Sequence, residues 1–223
     1  MSAHFTPTFF TFLRALKRHN TREWFADQRA RFDRDVEAPM LQFIADFSPR
    51  LRAISPAFVA DPKRTGGSMF RIYRDTRFSA DKTPFKTWMA ARFPHEARKK
   101  TDGVPGFYLH LEPKDSYGGG GVYHLEMPAL TRIRHYLVAN PKAWKAVLES
   151  GIEIEGDRLV RAPAGFDPAH RFIDDLRRKD LYTLTSFTEA EVVSAQFLDR
   201  YTAACERIVP LMSFLTRALK LRW

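Results

Sequence analysis

The sequence has a single cysteine, Cys205, in 223 residues. One thiol cannot form an intrachain disulfide, and no group of cysteines is present that would hold a metal ion. No apolar run reaches the roughly 18 residues that a membrane-spanning helix needs. The stretch 1–12 lacks the basic and then apolar order of a signal peptide and its small-residue cleavage site. These absences predict a cytoplasmic protein with no membrane partner.

Common catalytic and cofactor motifs are also missing. The four glycines at 118–121 lack the following Lys-Ser/Thr of a phosphate-binding loop. We expect a glycine-rich hairpin or bulge there, with close approach to a ligand as the alternative. No GxSxG elbow is present, and His110, His124 and Glu112 match no standard zinc spacing. We therefore expect no metal and no cofactor, and we interpret Cys205 as a small core residue rather than a nucleophile.

Phenylalanine and positive charge are abundant. Hydrophobic residues make up 44% of the chain and include 19 phenylalanines, enough for a sizeable core. The net charge is +10, and residues 63–100 carry 11 Lys and Arg against three acids, a local excess of +8. The stretch 207–223 adds four positive charges and no acid. A basic balance favours anionic partners such as a nucleic acid, a phosphorylated ligand or an acidic protein.

The chain contains no repeat, low-complexity tract or long linker, so we predict a single domain over residues 1–223. Its two ends favour helices, because apolar residues recur there at three- and four-residue spacing. The helix-start signals are Thr6-Pro7, Thr21, Pro39, Pro128 and Pro141. A long terminal helix is expected at 193–215, which Pro210 should kink or divide.

The central block, residues 66–123, favours strands. Phe107, Leu109 and Leu111 alternate with polar residues, and residues 85–93 alternate in the same manner. We expect these two strands to pair antiparallel. Shorter elements are expected later: a strand at 159–162, a helix at 168–178 and an edge strand at 181–187. The order predicts an α+β fold, with a mainly antiparallel central sheet (about 66–123 plus short later strands) flanked by N- and C-terminal helices.

Five segments together resemble one known family. They are FFTFLRALKRHNTREWF at 9–25, SMFRIYRDTRFSADKTPFKT at 68–87, GFYLHLEP at 106–113, the glycine run and following helix at 118–136, and RAPAGFDPAH with LRRKDL within 161–181. Over nearly the whole chain they resemble the bacterial and fungal family catalogued as domain of unknown function 2461. Phe85 stands where the family commonly has Tyr, and residues 122–127 match less closely. The resemblance implies a single-domain protein and supplies no activity.

Five basic residues cluster in the second of these segments: Arg71, Arg74, Arg77, Lys82 and Lys86. Arginine presents a planar fork suited to phosphate or carboxylate, and lysine adds a point charge. Interleaved aromatic residues argue against a merely solvated surface. Two interpretations stay open. The cluster forms an anion-binding pocket, or it forms ion pairs with Asp75 and Asp81 that hold an irregular loop.

A second candidate set is Tyr108, His110 and Glu112, which should project from one face of a strand. They form an acid–base row in which histidine is the natural proton shuttle near neutral pH. The neighbouring strand would add Lys86, Trp88 and Arg92 to that face. The alternative is a polar strand that faces solvent.

The leading functional hypothesis is a pocket for a small phosphorylated or carboxylated ligand. The five basic residues would hold the anion, and Tyr108, His110 and Glu112 would face the rest of the ligand. If the pocket is catalytic, His110 or Glu112 performs the acid–base step. The main competitor is non-specific nucleic-acid binding, with the basic run at 98–100 and the basic C-terminus extending the field. A third hypothesis is a module that docks on an acidic protein.

Overall fold

A four-stranded antiparallel sheet with strand order β1-β2-β3-β4 forms the centre of the protein. The computed structural model describes residues 3–99 and 103–223, so Lys100 of the basic run lies outside the described residues. The strands are β1 (Met89–Pro94), β2 (Gly106–Leu111), β3 (Ser116–Val122) and β4 (Leu181–Phe187). Helices precede and follow the sheet along the chain, which confirms the predicted α+β fold.

The helices fall into three groups along the chain. Before the sheet come α1 (Pro7–Arg18), α2 (Arg22–Asp27), α3 (Arg29–Phe32), a π-helical turn (Asp33–Glu37) and α4 (Ala38–Ile54). A 3-10 turn (Glu96–Lys99) follows β1, and α5 (Met127–Ala139), α6 (Pro141–Glu149) and α7 (Ile173–Leu176) follow β3. The chain ends with α8 (Glu189–Val192), α9 (Phe197–Arg207) and α10 (Val209–Ala218).

Most of the predicted helix starts are confirmed. Thr21 caps α2, because its hydroxyl accepts a hydrogen bond from the Trp24 backbone N–H at 3.2 Å. A proline lies in the first turn of α1, α5 and α6, where its missing N–H leaves no hydrogen bond unmade. Pro39 lies in the first turn of α4, but α4 continues directly from the π-helical turn, and Glu37 and Ala38 are already helical. Pro210 lies in the first turn of α10 and divides the predicted long terminal helix there.

The predicted strand at 85–93 is shorter than expected. β1 begins only at Met89, although it pairs antiparallel with β2 as predicted. The side-chain amide of Asn20 explains the difference. It donates to the Phe85 carbonyl at 2.9 Å and accepts from the Phe85 N–H at 3.0 Å. Both backbone groups of Phe85 are therefore used before the chain can join the sheet.

The glycine run forms a full strand, the second strand of the β2–β3 hairpin, so the predicted glycine-rich hairpin is confirmed and the predicted bulge is absent from the register of residues 117–121. β3 pairs with β2 on one side and β4 on the other. Gly118 and Gly120 face the helices, and a Cβ at Gly118 would lie 2.6 Å from the Tyr201 ring. Because Gly118 and Gly120 have no side chains, α9 and α10 pack directly on the strand. Sequence neighbours alone do not indicate this packing.

Two shorter predictions also fail. The stretch 159–162 forms no strand, and pairing there is limited to an isolated bridge between Arg158 and Arg178. Within 168–178 only Ile173–Leu176 is α-helical. Side chains compete with the helix before that point, since Asp167 accepts from the Ala169 N–H at 2.8 Å and His170 from the Phe172 N–H at 3.1 Å. The edge strand predicted at 181–187 is confirmed as β4.

Two hydrophobic clusters hold these elements together. The first packs the inner face of the sheet, including Phe93 and Phe107, against α1, α4 and α9. The second gathers α5, α6 and α10 around the fully buried Trp144, and Ile152 packs against both clusters. Cys205 is buried in the first cluster, as predicted for a core residue. Within the described part of the chain, no helix has the length and apolar character needed to cross a membrane.

Candidate functional site

The sheet face opposite the first hydrophobic cluster carries the candidate site, and we call it the outer face. Paired residues share a face, and side chains alternate faces along each strand. The register therefore places three rows on the outer face: Ala90, His110, Tyr117 and Ser186; Arg92, Tyr108, Gly119 and Leu184; and Pro94, Gly106, Gly121 and Tyr182. Aromatic residues, Arg92 and glycines are therefore neighbours on this face across the four strands.

Tyr108, His110 and Glu112 form a hydrogen-bonded chain along β2. The Tyr108 hydroxyl lies 3.2 Å from Nδ1 of His110, and Nε2 of His110 lies 3.4 Å from a Glu112 carboxylate oxygen. The other Glu112 oxygen accepts from the Thr87 hydroxyl at 3.2 Å. A carboxylate only accepts hydrogen bonds, so Nε2 of His110 carries its proton and Nδ1 accepts the Tyr108 proton. The sequence predicted this row.

His110 is buried rather than solvent-facing, with 6% of its surface exposed. Its ring stacks on Tyr117 with centroids 4.6 Å apart and contacts Trp88 with centroids 4.9 Å apart. This burial lowers the pKa of His110 below its ordinary value, although Glu112 opposes the shift. Burial also raises the pKa of Tyr108. At neutral pH the chain therefore holds a neutral imidazole behind a protonated phenol.

A cleft of about 460 Å³ opens beside Tyr108 on the outer face. We call it the tyrosine cleft, and its lining side chains are Phe70, Arg92, Tyr108, Tyr117, Tyr123, Tyr182 and Leu184. Its floor is backbone, because Gly106 and Gly121 present no side chain there. Gly121 has a φ of +146°, and a Cβ at this position would lie 2.2 Å from the Leu181 carbonyl oxygen. Only glycine suits this position, for strain and space alike.

Phe70 and Trp88 form one wall beside this cleft. The Phe70 backbone N–H donates to the Ala90 carbonyl at 2.9 Å, which attaches the segment before β1 to the sheet edge. The Phe70 ring then lies edge-on to Tyr108 with centroids 6.2 Å apart. The Lys86 ammonium lies 4.9 Å from the Trp88 ring and 5.5 Å from the Phe70 ring. This cation–π pair holds the two rings together.

Arg92 lies directly opposite Tyr108 in the strand register. Its guanidinium donates to the Val104 carbonyl at 3.1 Å, and its Nε lies beside Gly106. Burial lowers the pKa of Arg92, and the charge of Arg98 adds to this effect. A half-buried cation close to a second cation is stabilised by a bound anion.

A second, larger cleft adjoins the first. It measures about 1130 Å³, and we call it the basic groove. Its basic lining residues are Arg64, Arg71, Arg92, Arg98, Lys220 and Arg222. Arg64 is paired with Glu37, and Arg222 is paired with Glu96 at 3.0 Å. Within residues 3–99 and 103–223, no carboxylate pairs with Arg71 or Arg92.

The five basic residues predicted to hold an anion do not converge. Arg74 pairs with Asp81, and this contact with the Thr83 hydrogen bonds lowers the pKa of Asp81 to about 2. Arg77 pairs with Asp75 at 2.7 Å, and Lys82 donates to the Thr76 carbonyl at 2.9 Å. These three residues support the loop in the manner of the ion-pair interpretation.

The other two predicted cations lie nearer the clefts. Arg71 lines the basic groove. Lys86 donates to the Arg71 carbonyl at 2.8 Å, and burial lowers its pKa. Lys86 therefore contributes to the site by holding the Phe70 and Trp88 rings in place.

Sequence reasoning missed several lining residues of the tyrosine cleft. Phe70, Tyr117, Tyr123 and Tyr182 come from three separate parts of the chain. The sequence did contain a signal for Tyr117. If the glycines form a strand, Tyr117 and Gly119 lie on the same face of it, because they are two positions apart. Tyr182 required the pairing of β4 with β3, which is a tertiary fact. Among the described residues, no three His, Cys, Asp or Glu side chains are grouped to hold a metal ion.

Fold and site together define an α+β protein with an aromatic cleft and a hydrogen-bonded chain of Tyr108, His110 and Glu112 on the outer face of its sheet. A family model described as "Conserved hypothetical protein (DUF2461)" matches residues 8–214. The chain belongs to this family, as the sequence resemblance predicted. No curated protein and no solved structure matches the chain.

Proposed function

We propose that the tyrosine cleft binds a small phosphorylated or carboxylated ligand and that Tyr108, His110 and Glu112 perform acid–base chemistry on it. The hydrogen-bonded chain from the cleft-lining Tyr108 to Glu112 is the observation that carries this proposal. A polar row on a solvated strand has no need of a buried imidazole with both nitrogens engaged. Such a burial is costly unless the hydrogen bonds are made, and it is common where pKa values are adjusted for function.

The geometry supports a base that works through Tyr108. A proton leaving the ligand passes to the Tyr108 oxygen as the proton of Tyr108 passes to Nδ1 of His110. The imidazolium that forms is stabilised by Glu112, which already accepts from Nε2. The ligand loses one proton and His110 gains one, so the step is balanced. Arg92, directly across from Tyr108, is placed to hold the anionic group of the ligand.

The proposal is tested by binding measurements on matched tyrosine variants. A panel of small carboxylates and phosphate monoesters is screened by thermal shift, and binders are titrated by calorimetry. Tyr108→Phe should weaken a cleft ligand by up to about tenfold, because a ligand group that donates a hydrogen bond loses the Tyr108 oxygen as its acceptor. Tyr73→Phe is the control, since Tyr73 is exposed and lies outside both clefts.

Proton uptake provides a second measurement of the same proposal. A bound anion should raise the pKa of His110, so binding near pH 6 takes up protons and its enthalpy varies with the ionisation enthalpy of the buffer. His110→Gln should abolish that variation. The proposal is overturned if no panel member binds, or if binders have equal affinity for wild type, Tyr108→Phe and Arg92→Gln.

Nucleic-acid binding is the second candidate, and the basic groove is the observation that favours it. Its support is weaker, because Arg64 and Arg222 are already paired with carboxylates and Arg74 and Arg77 lie in loop ion pairs. Docking on an acidic protein would draw on the same exposed cations. We place the protein in the cytoplasm, a proposal supported by the buried, unpaired thiol of Cys205.

A further inference from the structure

The tyrosine cleft and the basic groove meet at two side chains. Phe70 and Arg92 line both spaces, so one ligand can extend from the first into the second. The two spaces differ in chemistry. The tyrosine cleft presents aromatic side chains over a glycine backbone, and the basic groove presents guanidinium groups.

The tyrosine cleft suits a flat ring. Its floor at Gly106 and Gly121 has no side chains, which leaves room for a planar group to lie on the sheet. Phe70 stands edge-on to Tyr108, and Tyr182 stands edge-on to Tyr123 with centroids 5.8 Å apart. Aromatic side chains stack on planar heterocycles whatever their substituents, because every such ring has a π-face. The volume of about 460 Å³ is that of a small-molecule site.

The neighbouring end of the basic groove suits a phosphate. Arg92 lies at the junction and is half-buried, so its charge is less screened than that of an exposed arginine. Arg71 follows Phe70 in the chain and lines the groove beside it. Guanidinium groups bind phosphate through paired N–H donors. A phosphate here would lie next to a ring held in the tyrosine cleft.

We propose that the ligand is a phosphorylated planar heterocycle, with its ring in the tyrosine cleft and its phosphate on Arg92 and Arg71. This inference rests on the proposed function and names its ligand class. Nucleoside monophosphates and vitamin-derived phosphates share this chemistry. Arg92 divides the ring site from the phosphate site, and it therefore sets which end of the ligand reaches Tyr108.

The test compares phosphorylated rings with their dephosphorylated partners. The full chain is titrated by calorimetry with AMP, UMP, pyridoxal phosphate and flavin mononucleotide, and in parallel with adenosine, uridine, pyridoxal and riboflavin. Inorganic phosphate alone and a short oligothymidylate complete the set. At least one phosphorylated ring should bind about tenfold or more tightly than its partner and than phosphate alone, because both halves of the site are used. Which ring binds identifies the source.

Matched variants assign the two halves. Arg92→Gln should bring the affinity of the phosphorylated ring close to that of its dephosphorylated partner and leave the partner unchanged. Arg71→Gln, at an exposed position, should give a smaller loss of the same kind and guards against misfolding of the Arg92 variant. Phe70→Ala should weaken both forms by a similar factor. Arg77→Gln, outside both clefts, should change nothing.

Three results obtained with a binding ring would overturn the inference. They are equal affinity for phosphorylated and dephosphorylated rings, no selective effect of Arg92→Gln, and an oligothymidylate that binds tenfold tighter than every monophosphate. The last would favour a nucleic-acid strand. If none of these rings binds but phosphate-free carboxylates bind in a manner sensitive to Tyr108→Phe, the inference fails and the proposed function stands. If neither the small-anion panel nor the ring panel contains a binder, both the inference and the proposed function are overturned.

Discussion

At the scale of single residues, burial decides the chemistry of His110. The same imidazole on an exposed strand would ionise near its ordinary pKa of about 6.5. Between Tyr117 and Trp88 it stays neutral to lower pH, with each nitrogen occupied by a hydrogen bond. The arrangement makes His110 an acceptor for the Tyr108 proton at neutral pH. It also links the stability of the fold to the state of this one ring.

We predict that the wild type loses stability through His110 as the pH falls below about 6.5. The pKa of His110 is lowered in the folded state, so in the window below about 6.5 the unfolded chain binds more protons, and the free energy of unfolding falls as pH falls. His110→Gln should show a shallower decline. The measurement is the melting temperature against pH for both proteins, and only the slopes are compared. Parallel curves would mean that His110 is not linked to folding.

Arg74 was a candidate anion-binding residue, but its contacts in the structure give it a structural role. It pairs with Asp81 and bonds to the hydroxyls of Thr83 and Ser79. All three partners belong to one loop, so the guanidinium holds that loop rather than a ligand. Arg92 has fewer competing contacts, faces Tyr108 and lines both clefts, which makes it the stronger candidate for an anion.

At the scale of the element, β3 serves both faces of the sheet through its glycines. Gly118 and Gly120 leave space for Tyr201 and Ile208 on the helical side. Gly121 leaves a flat floor for the tyrosine cleft on the outer side. A strand of glycines has low intrinsic stability. Hydrogen bonding on both edges and the packing of α9 and α10 stabilise it instead.

We predict that Gly118→Ala destabilises the protein by about 1–3 kcal/mol, the range found for overpacked cores. The added methyl would lie 2.6 Å from the Tyr201 ring, and that ring is fully buried among Phe43, Phe47 and Phe93. Chemical denaturation measures the free energy of unfolding. Ser186→Ala is the control at an exposed position of the same sheet and should stay within about 0.5 kcal/mol of wild type. A loss at Gly118 no larger than the control would show that Tyr201 moves aside.

At the scale of the whole molecule, two hydrophobic clusters share one sheet. β3 contacts both α9 and α10, and Val122 at its end belongs to the second cluster. Ile152 packs against both. Neither cluster is bounded by a linker in the described part of the chain, so we expect them to unfold together.

The single-domain prediction is tested by following the two clusters separately. Trp24 packs against the first cluster and Trp144 lies within the second. With 5-fluorotryptophan in place of tryptophan, fluorine NMR resolves both sites through a urea titration. A single cooperative domain gives coincident midpoints for the two signals. Midpoints that differ beyond error would divide the chain into two folding units.

The sequence by itself determined the elements that depend on local signals. Helix starts at Thr21, Pro128 and Pro141 follow from capping and from the fixed φ of proline. The alternation in β2 indicated which residues share a face, so the row of Tyr108, His110 and Glu112 was predictable. The basic cluster was also visible, and so was the family. Each of these depends on residues close together in the chain.

The tertiary structure alone decided which side chains meet across the sheet. The register places Arg92 against Tyr108, and the pairing of β4 brings Tyr182 to the floor formed by Gly121. Asn20, 65 residues away in the chain, takes both backbone groups of Phe85 in the segment before β1. Burial of His110 also depends on Trp88 and Tyr117 from two other parts of the chain. Pattern and charge are local properties, whereas desolvation and contact depend on packing between distant segments, and the site depends on those.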